Sequence, residues 1–181
     1  MNLVFLLEER SAKIFLENIL ERFLPPEVHY KLIPHDGKQD LRKSIPRKLR
    51  AWQEPGAKFI IVQDQDSSNC KDLKHELQQL CVQAGRPDSI IRIACRELEA
   101  WYLGDLNAID SVYGTALKVK QHQRLFRNPD GIGSPSQELK RLIPEFSKTD
   151  AARRIGQVIQ WDGNRSISFG YLIRCLEELK L

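Results

Sequence analysis

Phe59-Ile60-Ile61-Val62-Gln63-Asp64-Gln65-Asp66 is the stretch that decides the fold. Its first four residues are apolar without alternation, as expected of a strand covered on both faces. The run then stops at two acids separated by one residue. The same design recurs on either side. Leu3 to Leu7 is a second continuous apolar run, followed by Glu8-Glu9. Ile90, Ile91 and Ile93 form a third, followed by Ala94-Cys95-Arg96-Glu97-Leu98-Glu99. Val28, Tyr30 and Leu32 alternate with polar residues, so this strand is expected at an edge and the other three in the centre.

Helical stripes fill the intervals. Phe15, Leu16, Ile19, Leu20 and Phe23 recur at helical spacing before Pro25-Pro26. Leu41, Ile45, Leu49 and Trp52 make a second stripe, in which Pro46 predicts a kink or break. Leu73, Leu77, Leu80, Cys81 and Ala84 make a third, ended by Gly85 and Pro87, and Arg96 to Leu103 reads as a fourth helix. Strand and helix in alternation imply a Rossmann-like, mostly parallel four-stranded α/β sheet flanked by helices over residues 1–104.

From 105 to 181 the pattern is a helical C-terminal extension, expected to pack on that core as one unit. Asp105, Ser134-Pro135-Ser136-Gln137, Asp150 and Ser168 each have the form of a helix start, and residues 114–133 read as a long loop.

The 181 residues are 41% hydrophobic and 29% charged, enough for a full core without staples and too apolar for disorder. No apolar run approaches the ~18 residues of a membrane span. The short N-terminal apolar run has no basic region before it and is not expected to be a signal peptide. The four cysteines form no CxxC pair, which argues against a zinc ribbon, and are read as reduced in a cytoplasmic protein. The four scattered histidines suggest no ligand set.

Net charge is only +4, but Lys31, Lys38, Arg42, Lys43, Arg47, Lys48 and Arg50 cluster, as do Lys118, Lys120, Arg124 and Arg127. Such stretches suit a polyanion; a solvated helix face is the plainer alternative.

The acids carry the chemistry. In an open parallel sheet, ligands bind at the carboxyl ends of the strands, where Glu8, Asp64-x-Asp66 and Glu97-x-Glu99 would meet. If the chain stays extended, Asp64 and Asp66 point the same way with carboxylates roughly 5 Å apart. At an effective dielectric near 20 their repulsion is about 3 kcal/mol. A hard dication, Mg²⁺ or Mn²⁺, would relieve it. The competing reading is that these acids cap the helices that follow. Helical spacing turns Glu97 and Glu99 about 200° apart, so only one can readily face an ion.

A strand ending in Glu followed by one ending in Asp-x-Asp resembles the Toprim domain of topoisomerases, primases and nucleases. More closely, Leu6-Leu7-Glu8-Glu9-Arg10-Ser11, Gly37-Lys38-Gln39-Asp40-Leu41, Val62-Gln63-Asp64-Gln65-Asp66, Arg96-Glu97-Leu98-Glu99-Ala100-Trp101 and Asn164-Arg165-Ser166-Ile167-Ser168-Phe169 resemble the DUF4276 family, which is regarded as Toprim-like. The resemblance implies that Glu8 is a general acid/base or metal ligand and that Asp64 and Asp66 bind Mg²⁺. Glu97 and Glu99 match the family's Glu-x-Glu-Ala-Trp stretch. Glu9 stands where many Toprim sequences have Gly.

The expected function is therefore a Mg²⁺- or Mn²⁺-dependent nuclease on DNA or RNA, in phage defence or DNA repair. Glu8, Asp64, Asp66, Glu97 and Glu99 would be catalytic, with Glu8, Asp64, Asp66 and Glu99 holding metal. Lys38, Arg42, Lys43, Arg47 and Arg96 would grip phosphates, under a loop bearing Lys118, Lys120, Arg124 and Arg127. Size argues against a topoisomerase or complete primase. The alternative is a non-catalytic nucleic-acid- or nucleotide-binding subunit beside a separate ATPase, since the chain has no P-loop. A small-molecule phosphotransferase is disfavoured for the same reason.

Overall fold

The computed structural model describes residues 1–179. Four parallel strands, β1 (Asn2–Leu7), β2 (His29–Pro34), β3 (Lys58–Asp64) and β4 (Ile90–Ala94), form one sheet in the order β2-β1-β3-β4. In register, Phe5 pairs with Leu32 and Ile60, and Ile61 pairs with Ile91. The chain moves outward from β1 to β2, returns across it to β3, then reaches β4. The switch point therefore lies between β1 and β3, the place where such sheets hold ligands.

β2 is an edge strand, as its alternation predicts. The expectation that β4 is central is corrected: β4 is the opposite edge. It reads as buried because helices cover both its faces, not because strands flank it.

Alternation within each strand divides the core in two. Leu3, Phe5, Leu7, Ile60 and Val62 face α1 (Arg10–Phe23) and most of the C-terminal extension. Val4, Leu6, Phe59, Ile61, Ile91 and Ile93 face α2 (Lys38–Ala51) and α3 (Cys70–Gln83). Pro46 does not break α2. It costs about 3 kcal/mol in a helix interior, whereas burial of Leu41, Ile45 and Leu49 gains roughly 1.5–3 kcal/mol each.

After α4 (Glu99–Leu103), the last element of the core segment, the extension comprises α5 (Leu106–Tyr113), α6 (Arg124–Arg127), α7 (Pro135–Leu142), α8 (Lys148–Val158) and α9 (Ile167–Leu179). Two short 3-10 turns, Lys118–Lys120 and Pro129–Gly131, interrupt the stretch read as a loop. Phe15, Trp101, Tyr102 and Phe169 form one aromatic cluster, which joins α1, α4 and α9. On α1, Arg22 donates to the carbonyls of Gly156 (2.9 Å) and Ile159 (2.8 Å), which fastens the end of α8. Among the described residues, no helix is long and apolar enough to cross a membrane.

Of the expected caps, Asp105 accepts from Ala108 N–H at 3.0 Å and caps α5. Asp150 lies inside the first turn of α8, and α9 begins at Ile167 with Asp130 accepting from Ser168 N–H at 2.7 Å. The expected helix from Arg96 starts only at Glu99. Arg96 has φ +62°, outside the right-handed helical region.

Candidate metal and phosphate site

Among the described residues, none of the strand-end acids makes a side-chain capping bond to the helix that follows it. Asn69 caps α3, accepting from Lys71 and Asp72 N–H groups, which leaves Asp66 out of that role. Glu9 precedes α1 but makes no side-chain capping bond. Glu97 does cap a helix: its Oε2 accepts from Ser136 N–H at 2.6 Å, at the start of α7, where Ser134 makes no capping bond of its own.

The remaining acids meet at the carboxyl rim of β1 and β3. Glu8 Oε2 accepts from the Asp64 backbone N–H at 3.1 Å, so the first acidic segment is joined to the third strand. Burial pushes the Glu8 carboxyl above its usual range; the Asp64 N–H and Lys38 oppose this, and Asp66 and Glu9 add to it. Asp64 is pushed well above the ordinary value by burial first, then by Glu99, Glu8 and Glu9. It thus lies within the field of acids from two other segments.

Glu99 settles the choice left open by its spacing. It is 0% exposed and turns inward, while Glu97 turns toward α7. Burial raises its pKa to about 7, against the opposing pull of Lys148. Neither Glu99 carboxylate oxygen has a hydrogen-bond partner, nor does the buried Tyr102 hydroxyl one turn on. Tyr102 shares the same surroundings: after burial, Glu99 and Asp64 are the main causes that raise it.

Two lysines sit among the acids. Lys38, the first residue of α2, pairs with Asp66 at 3.1 Å. Gly37 makes this approach possible: its φ of +91° is costly for any other residue, and its N–H donates to the Glu8 carbonyl at 2.9 Å. Lys148, the first residue of α8, lies 3.4 Å from Glu9 and 3.6 Å from Glu99. Burial alone would lower the Lys148 pKa, but Glu99, Glu9 and Asp64 together hold it above its usual value. Glu9 also accepts from the Ser11 hydroxyl.

The expected same-side pairing of Asp64 and Asp66 is not what forms. β3 ends at Asp64, and Asp66 has φ +52°, so extended alternation stops between them. Asp64 turns toward Glu99 and Asp66 toward Lys38. The left-handed Asp66 and Arg96 are held by each other's loops: Asp66 N–H donates to the Arg96 carbonyl at 2.8 Å, and Arg96 N–H donates to Gln65 Oε1 at 3.1 Å. Strained residues held this way cluster at functional sites.

The basic residues divide. Lys38 and Arg96 are at the rim, the Arg96 guanidinium 3.4 Å from the Asp66 carbonyl. Arg42 is paired with Glu76 of α3 at 3.1 Å, and Arg47 donates to the Lys43 carbonyl at 3.3 Å. Arg42, Lys43 and Arg47 thus line the α2 surface leading away from the rim. Of the second basic stretch, Lys118 N–H is held by Asp110, and Arg127 donates to the His122 carbonyl.

Lys148 escapes sequence reasoning because it comes from the extension, far from any acidic motif. One signal was available. A cation at the first position of a helix opposes the helix dipole, and Lys38 and Lys148 both stand there, each with a rim acid as partner.

The donors available at the rim are all carboxylate oxygens, which suit a hard dication. Glu99 supplies two buried oxygens with no hydrogen-bond partner, and its charge, with that of Glu8, raises Asp64. Among the described residues, no group of three or more His, Cys, Asp or Glu is gathered tightly enough to hold an ion as it stands.

Fold and rim together define a parallel α/β protein whose sheet switch point is lined by partly buried carboxylates, the fully buried Glu99 and two lysines. The chain belongs to the DUF4276 family, a domain of unknown function whose model matches residues 7–177. No curated protein and no solved structure matches it.

Proposed function

We propose that the rim binds Mg²⁺ or Mn²⁺ and hydrolyses phosphodiesters of DNA or RNA. The observation that carries this is Glu99, a fully buried carboxylate whose oxygens accept no hydrogen bond, with Lys148 3.6 Å from one of them, and whose charge bears on Asp64, itself flanked by Glu8. Three acids raised above their usual pKa in one place are unfavourable until a cation joins them. Glu8, Asp64 and Glu99 would hold the ion, with Asp66 freed from Lys38 as a further ligand. When bound, a hard dication neutralises phosphate charge and makes water a better nucleophile. Lys38, Arg96 and Lys148 stand at the same rim, where they would contact phosphate oxygens. The basic face of α2 continues outward as a track for the polyanion.

The Toprim likeness and a role in phage defence or repair belong to this same proposal and rest on the motif resemblance. A cytoplasmic location belongs to it too and rests on the reading of the four cysteines as reduced.

A second reading has one observation in its favour. Lys38 and Lys148 already neutralise part of the rim, as they would in a non-catalytic subunit that binds nucleic acid or nucleotide. Labelled single- and double-stranded DNA and RNA, incubated with Mg²⁺ or Mn²⁺, separate the two. Metal-dependent cleavage that is lost in folded Asp64→Asn and Glu8→Gln supports hydrolysis. Binding without cleavage under both metals overturns it and favours the second reading.

A further inference from the structure

Beside the rim, against the outer edge of β4, lies a cavity of about 210 Å³ lined by residues of α3, β4 and α9. Ile91, Ile93, Ile167 and Tyr171 make its apolar wall. Two of the four cysteines, Cys70 and Cys95, open into it, and both are partly exposed, whereas Cys81 and Cys175 are buried. They are 25 positions apart, so sequence spacing hides their pairing. The fold brings them together because Cys70 is the first residue of α3 and Cys95 immediately follows β4, the strand that α3 leads into. Both thiols line this one cavity, and Cys70 is among the groups that raise Cys95.

We infer that Cys70 and Cys95 form a reversible disulfide under mild oxidation, with a peroxide as the oxidant. The two thiols have different parts in it. Cys70 begins a 14-residue helix, with Lys74 one turn on and lining the same cavity. Cys95 is held as thiol: burial first, then Asp130, pushes it up to about 11. Cys70 is therefore the attacking sulfur. Its thiolate displaces hydroxide from hydrogen peroxide and becomes a sulfenic acid. Cys95 then loses its proton and attacks the Cys70 sulfur, the S–S bond forms, and water leaves. Two thiols and one peroxide give one disulfide and two waters.

The bond ties the start of α3 to the turn bearing Arg96. It therefore staples the two loops that already exchange hydrogen bonds through Asp66 and Arg96. It uses no rim carboxylate, so it stands or falls independently of the metal reading.

The test is to treat the native, reduced full-length chain with stoichiometric hydrogen peroxide, then block free thiols and measure the intact mass and a peptide map. The expected result is the loss of two hydrogens, one cross-linked peptide pair containing Cys70 and Cys95, and full reversal by dithiothreitol. Cys70→Ser and Cys95→Ser should each abolish the cross-link. The peptide map of the wild-type chain decides the matter even where a variant folds poorly. Cys70 and Cys95 both still alkylated after peroxide, a cross-link through Cys81 or Cys175, or irreversible sulfinic acid at Cys70 would each overturn the inference.

Discussion

Glu99 couples the stability of the chain to pH in a definite direction. Its folded pKa, about 7, lies above the ordinary 4.5, so the folded state binds more protons than the unfolded one between those values. Stability contributed by this group is present below about pH 4.5 and is lost as pH rises toward 7, by roughly 3 kcal/mol at 1.36 kcal/mol per unit. In chelator-treated buffer the melting temperature should fall from pH 5 to pH 7.5, and Glu99→Gln should flatten that slope. Lys148→Met removes the cation nearest Glu99 and Glu9. Chemical denaturation at pH 7.5 should show a loss of about 1–3 kcal/mol, below the 3–5 kcal/mol of a fully buried broken pair because Lys148 is 41% exposed. At this scale the sequence marks the acidic segments at the strand ends, because charge at a strand end is visible in one dimension. It did not show that Asp64 and Asp66 part company, since that depends on a left-handed Asp66 held by the next loop. It also did not show Lys148, whose role arises only when α8 packs on α1.

The elements were legible wherever apolar spacing was strong. β1, β3 and the stripes of α1 and α3 needed nothing more than their own residues. Caps were less legible, because several are supplied from a distance: Glu97 caps α7, and Asp130 caps α9. The Asn164–Phe169 motif, read as a family signature, turns out to dock α9 on the core. Ser168 Oγ accepts from Trp101 Nε1–H at 2.9 Å and from Cys95 N–H at 3.2 Å. Ser168→Ala leaves both donors without that partner, and urea unfolding should register a cost of about 2–3 kcal/mol. Gly104 is under a similar constraint. A Cβ there would collide with Asn164 Oδ1, while Asn164 Nδ2 donates to the Trp101 carbonyl. Gly104→Ala should lower stability by about 1–3 kcal/mol in the same assay.

For the whole molecule, the sheet order follows from where the chain reverses direction. β2 lies on one side of β1, and the return through α2 places β3 on the other. That reversal puts the ends of β1 and β3 side by side, and it is why Glu8 and Asp64, 56 positions apart, share a hydrogen bond. The extension completes the rim from above α1 and contributes Lys148. The site is thus built by both segments, which sequence reading had separated into core and appendage. Under the proposed function, the acids gathered at this rim take up a hard cation. Mn²⁺ titrated into metal-free protein, followed by thermal melting, tests this most directly. At about one hundred times Kd, binding to the folded state contributes about 2.7 kcal/mol, a rise of roughly 5–10 °C for a chain of this length. The account requires that rise in the wild-type chain and its loss in folded Asp64→Asn and Glu99→Gln. An unchanged melting temperature at millimolar Mn²⁺, or an equal rise in both variants, would contradict it.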